Sequence, residues 1–132
     1  MRAVVEKLLK VERQIAEEKG PFSLFALFLR EDAQDKWDLV ASALWLEKNK
    51  QEAFEFLANL IRSSLAPDEL LSLSRIVLVD HNDPALDAVH RALRAEHGIV
   101  EVKDTSFFGL EIKHAYIITS QRETETVTRE VT

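Results

Sequence analysis

The stretch that most constrains this chain is residues 22–29, Phe-Ser-Leu-Phe-Ala-Leu-Phe-Leu, apolar at every position but Ser23. Written as an extended strand over residues 22–30, it puts Phe22, Leu24, Ala26 and Phe28 on one side and Phe25, Leu27 and Leu29 on the other. A strand with two apolar faces belongs inside a sheet covered on both sides. The run is far too short to cross a bilayer as a helix, which takes about 20 apolar residues.

The flanking sequence supplies the covering layers. Before the run, Val4, Val5, Leu8, Leu9, Val11, Ile15 and Ala16 form one helical stripe, with Glu6, Lys7, Lys10, Glu12, Arg13, Glu17 and Glu18 on the opposite face. Gly20-Pro21 ends that helix, because glycine takes the left-handed terminal conformation and proline cannot continue the helix. After the run, a polar turn at residues 31–36 leads into a returning strand at 37–43, with Trp37, Leu39, Val40, Ala41 and Ala43 in or near the core. So short a connection predicts an antiparallel hairpin.

Leu44-Trp45-Leu46 links to a second helix, in which Asn49 and Glu52 have capping-box spacing and Ala53, Phe54, Leu57, Leu60 and Ile61 make the buried stripe. Ala66-Pro67-Asp68-Glu69 opens a short helical turn. A strand follows at residues 75–79. A third helix starts at Asp83-Pro84, buries Leu86, Val89 and Leu93, and stops at Gly98. Strands at 99–103 and 114–120 are joined by a loop containing Phe107-Phe108-Gly109. One of these phenylalanines should close over the core. The other, like Trp45, is a candidate anchor for a partner.

The order α-β-β-α-β-α-β-β predicts an α+β fold of α/β type: a mixed sheet of about five strands with three main helices, built from two β–helix–β crossovers flanked by hairpins. Residues 1–121 form one domain. Residues 122–132 are a polar extension in which the alternation of Thr124, Thr126 and Thr128 suggests a further strand that pairs with a neighbouring chain.

Composition narrows the chemistry. Without a cysteine the chain has no disulfide, thiolate nucleophile or cysteine zinc site, which fits a reducing compartment. Its N-terminus becomes charged too soon for a secretory leader, so a cytoplasmic location is expected, with no membrane association. A net charge of −6, with 17 basic residues scattered among 23 acidic ones, argues against nucleic-acid binding. The three glycines form no phosphate loop, and no serine sits in a nucleophile elbow.

Two places remain where chemistry could sit. Asp80-His81-Asn82-Asp83-Pro84 lies where a strand ends and a helix begins, and Asp80, His81 and Asp83 offer oxygen and imidazole ligands to a divalent metal. The same residues also make an ordinary turn and helix cap. Glu101-Val102-Lys103 and Glu111-Ile112-Lys113 have the acid-x-Lys spacing of metal-dependent nucleases, and with Asp38 on another strand they could hold Mg²⁺ beside a phosphate. In a chain this acidic, chance alone supplies about one such triplet. The element order also departs from the αβββαβ core of those enzymes. His90 and His97 are too far apart to share one ion on a helix and read as surface or helix-end histidines.

The resulting expectation is a small non-catalytic interaction or regulatory domain that binds no cofactor and self-associates as a homodimer, with a further protein partner also open to it. The alternative is a metal-dependent nuclease or hydrolase using Asp38, Glu101, Lys103, Glu111 and Lys113, with a divalent metal such as Mg²⁺. Convergence of the carboxylates separates the two readings.

Overall fold

The computed structural model of the chain describes residues 1–32 and 35–122. Its main elements follow the expected order. Helix α1 (Arg2–Lys19) leads into strands β1 (Leu24–Arg30) and β2 (Trp37–Ser42). A 3₁₀ turn (Leu44–Lys48), helix α2 (Lys50–Ser64) and the one-turn helix α3 (Pro67–Leu70) connect to β3 (Leu73–Leu78). Helix α4 (Pro84–Ala92) and the hairpin of β4 (Val100–Phe107) and β5 (Leu110–Ser120) complete the described chain. Among the described residues no helix is long and apolar enough to cross a membrane. The Thr124, Thr126 and Thr128 extension lies outside the described residues.

The five strands form one mixed sheet in the order β3-β2-β1-β5-β4. The doubly apolar strand is its centre: β1 pairs antiparallel with β2 on one side and with β5 on the other. Only β2 and β3 run parallel, and α2 makes the crossover between them. The second expected crossover is different in kind. The connection through α4 joins β3 at one edge to β4 at the opposite edge, where β4 pairs antiparallel with β5. A long C-terminal hairpin satisfies both its strands locally, so β4 has no need to lie beside β3.

The two faces of the sheet build separate cores. On one, Phe25, Leu27, Leu29, Leu39, Ala41, Tyr116 and Ile118 pack under α1 and α2. On the other, Leu24, Ala26, Phe28, Val40, Ile112, Ala115 and Ile117 meet α4 and Phe107. Helix α2 is capped as expected, with the Asn49 side chain accepting from the Glu52 N–H at 3.1 Å. Its buried residues are Ala53, Leu57, Ala58 and Ile61, while Leu60 is half-buried and Phe54, near the helix start, is exposed. Helix α4 begins on the Asp83 cap, whose carboxylate accepts from the Ala85 N–H at 2.9 Å. It ends at Ala92, earlier than Gly98, because residues 93–99 turn back to lie along β5: Ala95 and Ser120 exchange backbone hydrogen bonds at 3.1 and 2.8 Å.

Glu12 departs from the amphipathic pattern. It sits fully buried under α1, not on the solvent face. Its carboxylate accepts from the Thr119 hydroxyl at 2.6 Å and pairs with His97 Nδ1 at 2.6 Å. A buried carboxylate is tolerated when both oxygens are answered. Thr119 and His97 come from β5 and the turn before β4, so the network ties three distant segments together.

Candidate functional site

The second face is only half covered. His90 on α4 bonds the Ser23 carbonyl at 2.9 Å, which holds the helix over the start of β1. At the other end of β1 the face opens into a cleft of about 240 Å³. Phe28, Val40, Val77, Ile112, Phe108 and Leu110 give it an apolar lining, and Arg30, Asp38, Arg75, Asp80 and Asp83 supply its polar groups.

Asp38 stands at the centre of this polar group. It follows Trp37 on β2, and strand alternation turns it away from the α1–α2 core toward the cleft. Register sets Phe28 beside it on β1 and Arg75 beside it on β3. Its Oδ2 accepts from Arg30 Nε at 3.0 Å and lies 3.2 Å from Arg75 Nε. The residue is only 3% exposed. Its second oxygen, Oδ1, is buried without a hydrogen-bond partner among the described residues. An unanswered buried carboxylate oxygen costs free energy, on the order of 1–3 kcal/mol. Arg75 is half exposed and approaches Asp38 through its Nε.

The roof of the cleft is the β4–β5 hairpin. Phe107 stacks on Phe28 with ring centroids 5.4 Å apart, and Phe108 lies tilted on the same ring at 6.1 Å. Phe108 and Gly109 are both at positive φ, 56° and 71°, as a two-residue hairpin turn demands. Glycine takes this conformation freely, whereas Phe108 is strained there. Its ring lies back over the sheet against Phe28, so Phe108 is half buried and not an outward anchor. Trp45 is likewise engaged: its indole donates to the Gly20 carbonyl at 3.1 Å and packs edge-on to Phe22.

The carboxylates singled out from the sequence divide between the two faces. Asp38, Asp80 and Asp83 all line the cleft. Asp80 is paired with Lys50, which raises the lysine's pKa chiefly through their hydrogen bond, and Asp83 caps α4. His81 turns away to Glu47, with Nδ1 2.9 Å from both carboxylate oxygens. Glu101 stands opposite Tyr116, and Lys103 opposite His114, on the side of the α1–α2 core. His114 bonds Glu101 and holds its carboxyl below the usual carboxylate range. Glu111 faces Ser106 across the hairpin, with Leu110 and Ile112 to either side turned to the cleft face, so it too points away from the cleft. Lys113 is exposed. The sheet therefore separates Asp38 from the acids of both Glu-x-Lys triplets. Among the described residues, no three His, Cys, Asp or Glu side chains come together as a metal site.

Sequence reasoning missed the partners that define the site. Arg30 and Arg75 lie 45 positions apart and meet only because β1 and β3 flank β2. The one available signal was a lone acid, Asp38, inside an apolar strand. His90 was also misplaced: it is buried, not at the surface, and desolvation pushes its pKa below the ordinary histidine value. Comparison of the chain with known protein families, with curated proteins and with solved structures finds no match.

Proposed function

We propose that this chain is a non-catalytic regulatory domain of the cytoplasm that binds a small ligand in the cleft of its half-covered sheet face and self-associates. One observation carries the reading: an open, largely apolar cleft on the half-covered face, with Arg30, Asp38 and Arg75 converging along one side of it. Concave apolar sites with a few convergent polar groups are where small molecules bind. The hydrolase alternative loses support because the cleft carboxylates are engaged, Asp38 and Asp80 by cations and Asp83 by a helix N-terminus. The acids of the Glu-x-Lys triplets lie across the sheet from them.

Self-association is assigned to the β3 edge. Strand β4, the other edge, carries Glu101, Lys103 and Asp104, and Asp104 takes a positive φ of 51° that kinks it. Charges and kinks protect an edge from pairing with another chain. Strand β3 reads Leu-Ser-Arg-Ile-Val-Leu, with one charge and no kink, and follows the exposed Leu71.

Two measurements test the reading. A fragment screen followed by amide chemical shifts should find binders that perturb Val40, Val77 and Phe108 together; binders scattered over the surface, or none, would sink it. Light scattering on eluting protein should give a dimer whose mass is indifferent to Mg²⁺. A strict monomer removes self-association, and Mg²⁺-dependent shifts around Asp38 would restore the hydrolase reading.

A further inference from the structure

Strand β3 is an edge of the sheet, and its ladder with β2 fixes which of its backbone groups face outward. Val79 donates to the Ala41 carbonyl at 2.9 Å, in a register that sets Ala41 beside Leu78. Bonding alternates along a parallel strand, so Val77 and Val79 turn their backbone groups to β2 while Ile76 and Leu78 turn theirs outward. We propose that a second copy of the chain answers those groups: the two β3 strands pair antiparallel about a two-fold axis at Val77, and each copy walls the other's cleft. The arrangement rests on the self-association and ligand-binding readings above and names the residues at which the two meet.

Charge and side-chain pattern select this pairing. Arg75 lies near the start of β3 and Asp80 just past its end. Antiparallel pairing carries each Arg75 toward the partner's Asp80, whereas parallel pairing gathers like charges at each end. With the axis at Val77, Arg75 stands opposite the partner's Val79, one position from the acid. An axis at Ile76 moves Arg75 back to Val77, away from it. The Val77 axis also sets Ile76 opposite Leu78, so half-buried apolar side chains meet on the α1–α2 face. On the other face the two Val77 side chains meet. Arg75, Val77 and Val79 all line the cleft, which therefore runs to the sheet edge. An axis perpendicular to the sheet keeps both clefts on one face, and paired strands lie about 4.8 Å apart. The partner's Val77 and Arg75 then stand at the open side of each cleft.

The chain has no cysteine, so introduced cysteines read the register directly. At the axis, Val77 faces its own copy at a non-hydrogen-bonded position, with Cα atoms about 4.5 Å apart. A disulfide spans about 4.4–6.8 Å between Cα atoms. Val77→Cys should therefore oxidise to a covalent dimer on a non-reducing gel. Ile76→Cys, diagonal to its own copy at about 7–8 Å, should stay uncrosslinked. Any other pattern, from a parent that light scattering shows to be a dimer, overturns the Val77 axis and leaves self-association standing. A parent that is monomeric at about 1 mM removes both. Ile76→Pro is the second variant. Its N–H faces away from β2, so proline blocks the pair without removing a ladder bond within the chain. The dimer dissociation constant should rise about a hundredfold with the circular dichroism of the fold retained, and a folded variant of parental affinity would overturn the pairing. Linkage tests the shared cleft: a fragment bound there should tighten the dimer by about tenfold, and an unchanged constant takes the partner out of the cleft. If no fragment binds, the shared cleft falls together with the ligand-binding reading.

Discussion

The two faces of the sheet are made from the same strands and solve different problems. On the face under α1 and α2, two long helices seal the apolar surface, and even the charged intruder, Glu12, has both oxygens answered. On the other, a single helix of nine residues and one hairpin cover part of the surface. Its charged intruder, Asp38, has one oxygen unanswered among the described residues. The comparison teaches where each task lies. Full polar satisfaction goes with the sealed face, and incomplete satisfaction with the partly covered one.

The sharpest way to break this contrast is to remove one aromatic ring from each face. Phe25 is fully buried and packs edge-on to Phe22 at 4.9 Å. Phe25→Ala should cost about 3–5 kcal/mol in urea unfolding. Phe108→Gly, at the cleft roof, should stay within about 1 kcal/mol of the parent, because relief of the positive φ offsets the lost ring contacts. Comparable losses would dissolve the distinction between the faces.

A middle-sized effect is expected from the buried network. Glu12→Ala leaves the Thr119 hydroxyl and His97 without their acceptor and should cost about 1.5–3 kcal/mol by the same measurement. A variant as stable as the parent would show that the network contributes nothing net to the sealed face.

The smallest effect should come from pH. Burial lowers the His90 pKa in the folded state, so the unfolded chain binds its proton more readily. His90 then costs no stability well above about pH 6.5, the unfolded value, and its cost grows as pH falls below that value. It levels off once pH passes below the lowered folded value, where both states are protonated. His90→Gln, which can still donate to the Ser23 carbonyl, should flatten the slope of melting temperature against pH across that window. An unchanged slope would separate His90 from the acid response of the fold.

Much of the architecture was legible because it depends on local periodicity. The doubly apolar run at residues 22–29 required a central strand, and β1 is one. Asn49 and Asp83 announced their helix starts because a cap acts within three residues. What escaped was the behaviour of β5, whose register with β1 slips at two places. One slip lets Ile112 join the cleft core although His114, two residues on, faces the other side. The other accompanies Thr119 turning under α1 to meet Glu12. A slip of one residue exchanges the faces of a strand, and no local propensity signals it.

By itself, then, the sequence determined the order of helices and strands, that the first strand is central, and that no thiol chemistry is available. Apolar spacing, caps and residue inventory are properties of neighbouring positions. The tertiary structure alone decided that Arg30, Asp38 and Arg75 share one ion cluster and that both Glu-x-Lys triplets place their acids across the sheet from it. It also decided that Glu12 is internal and Phe108 folds inward. The physical reason is common to these cases. Strand order and register bring together groups that are distant in the chain, and the free energy that selects them comes from covering two apolar faces at once.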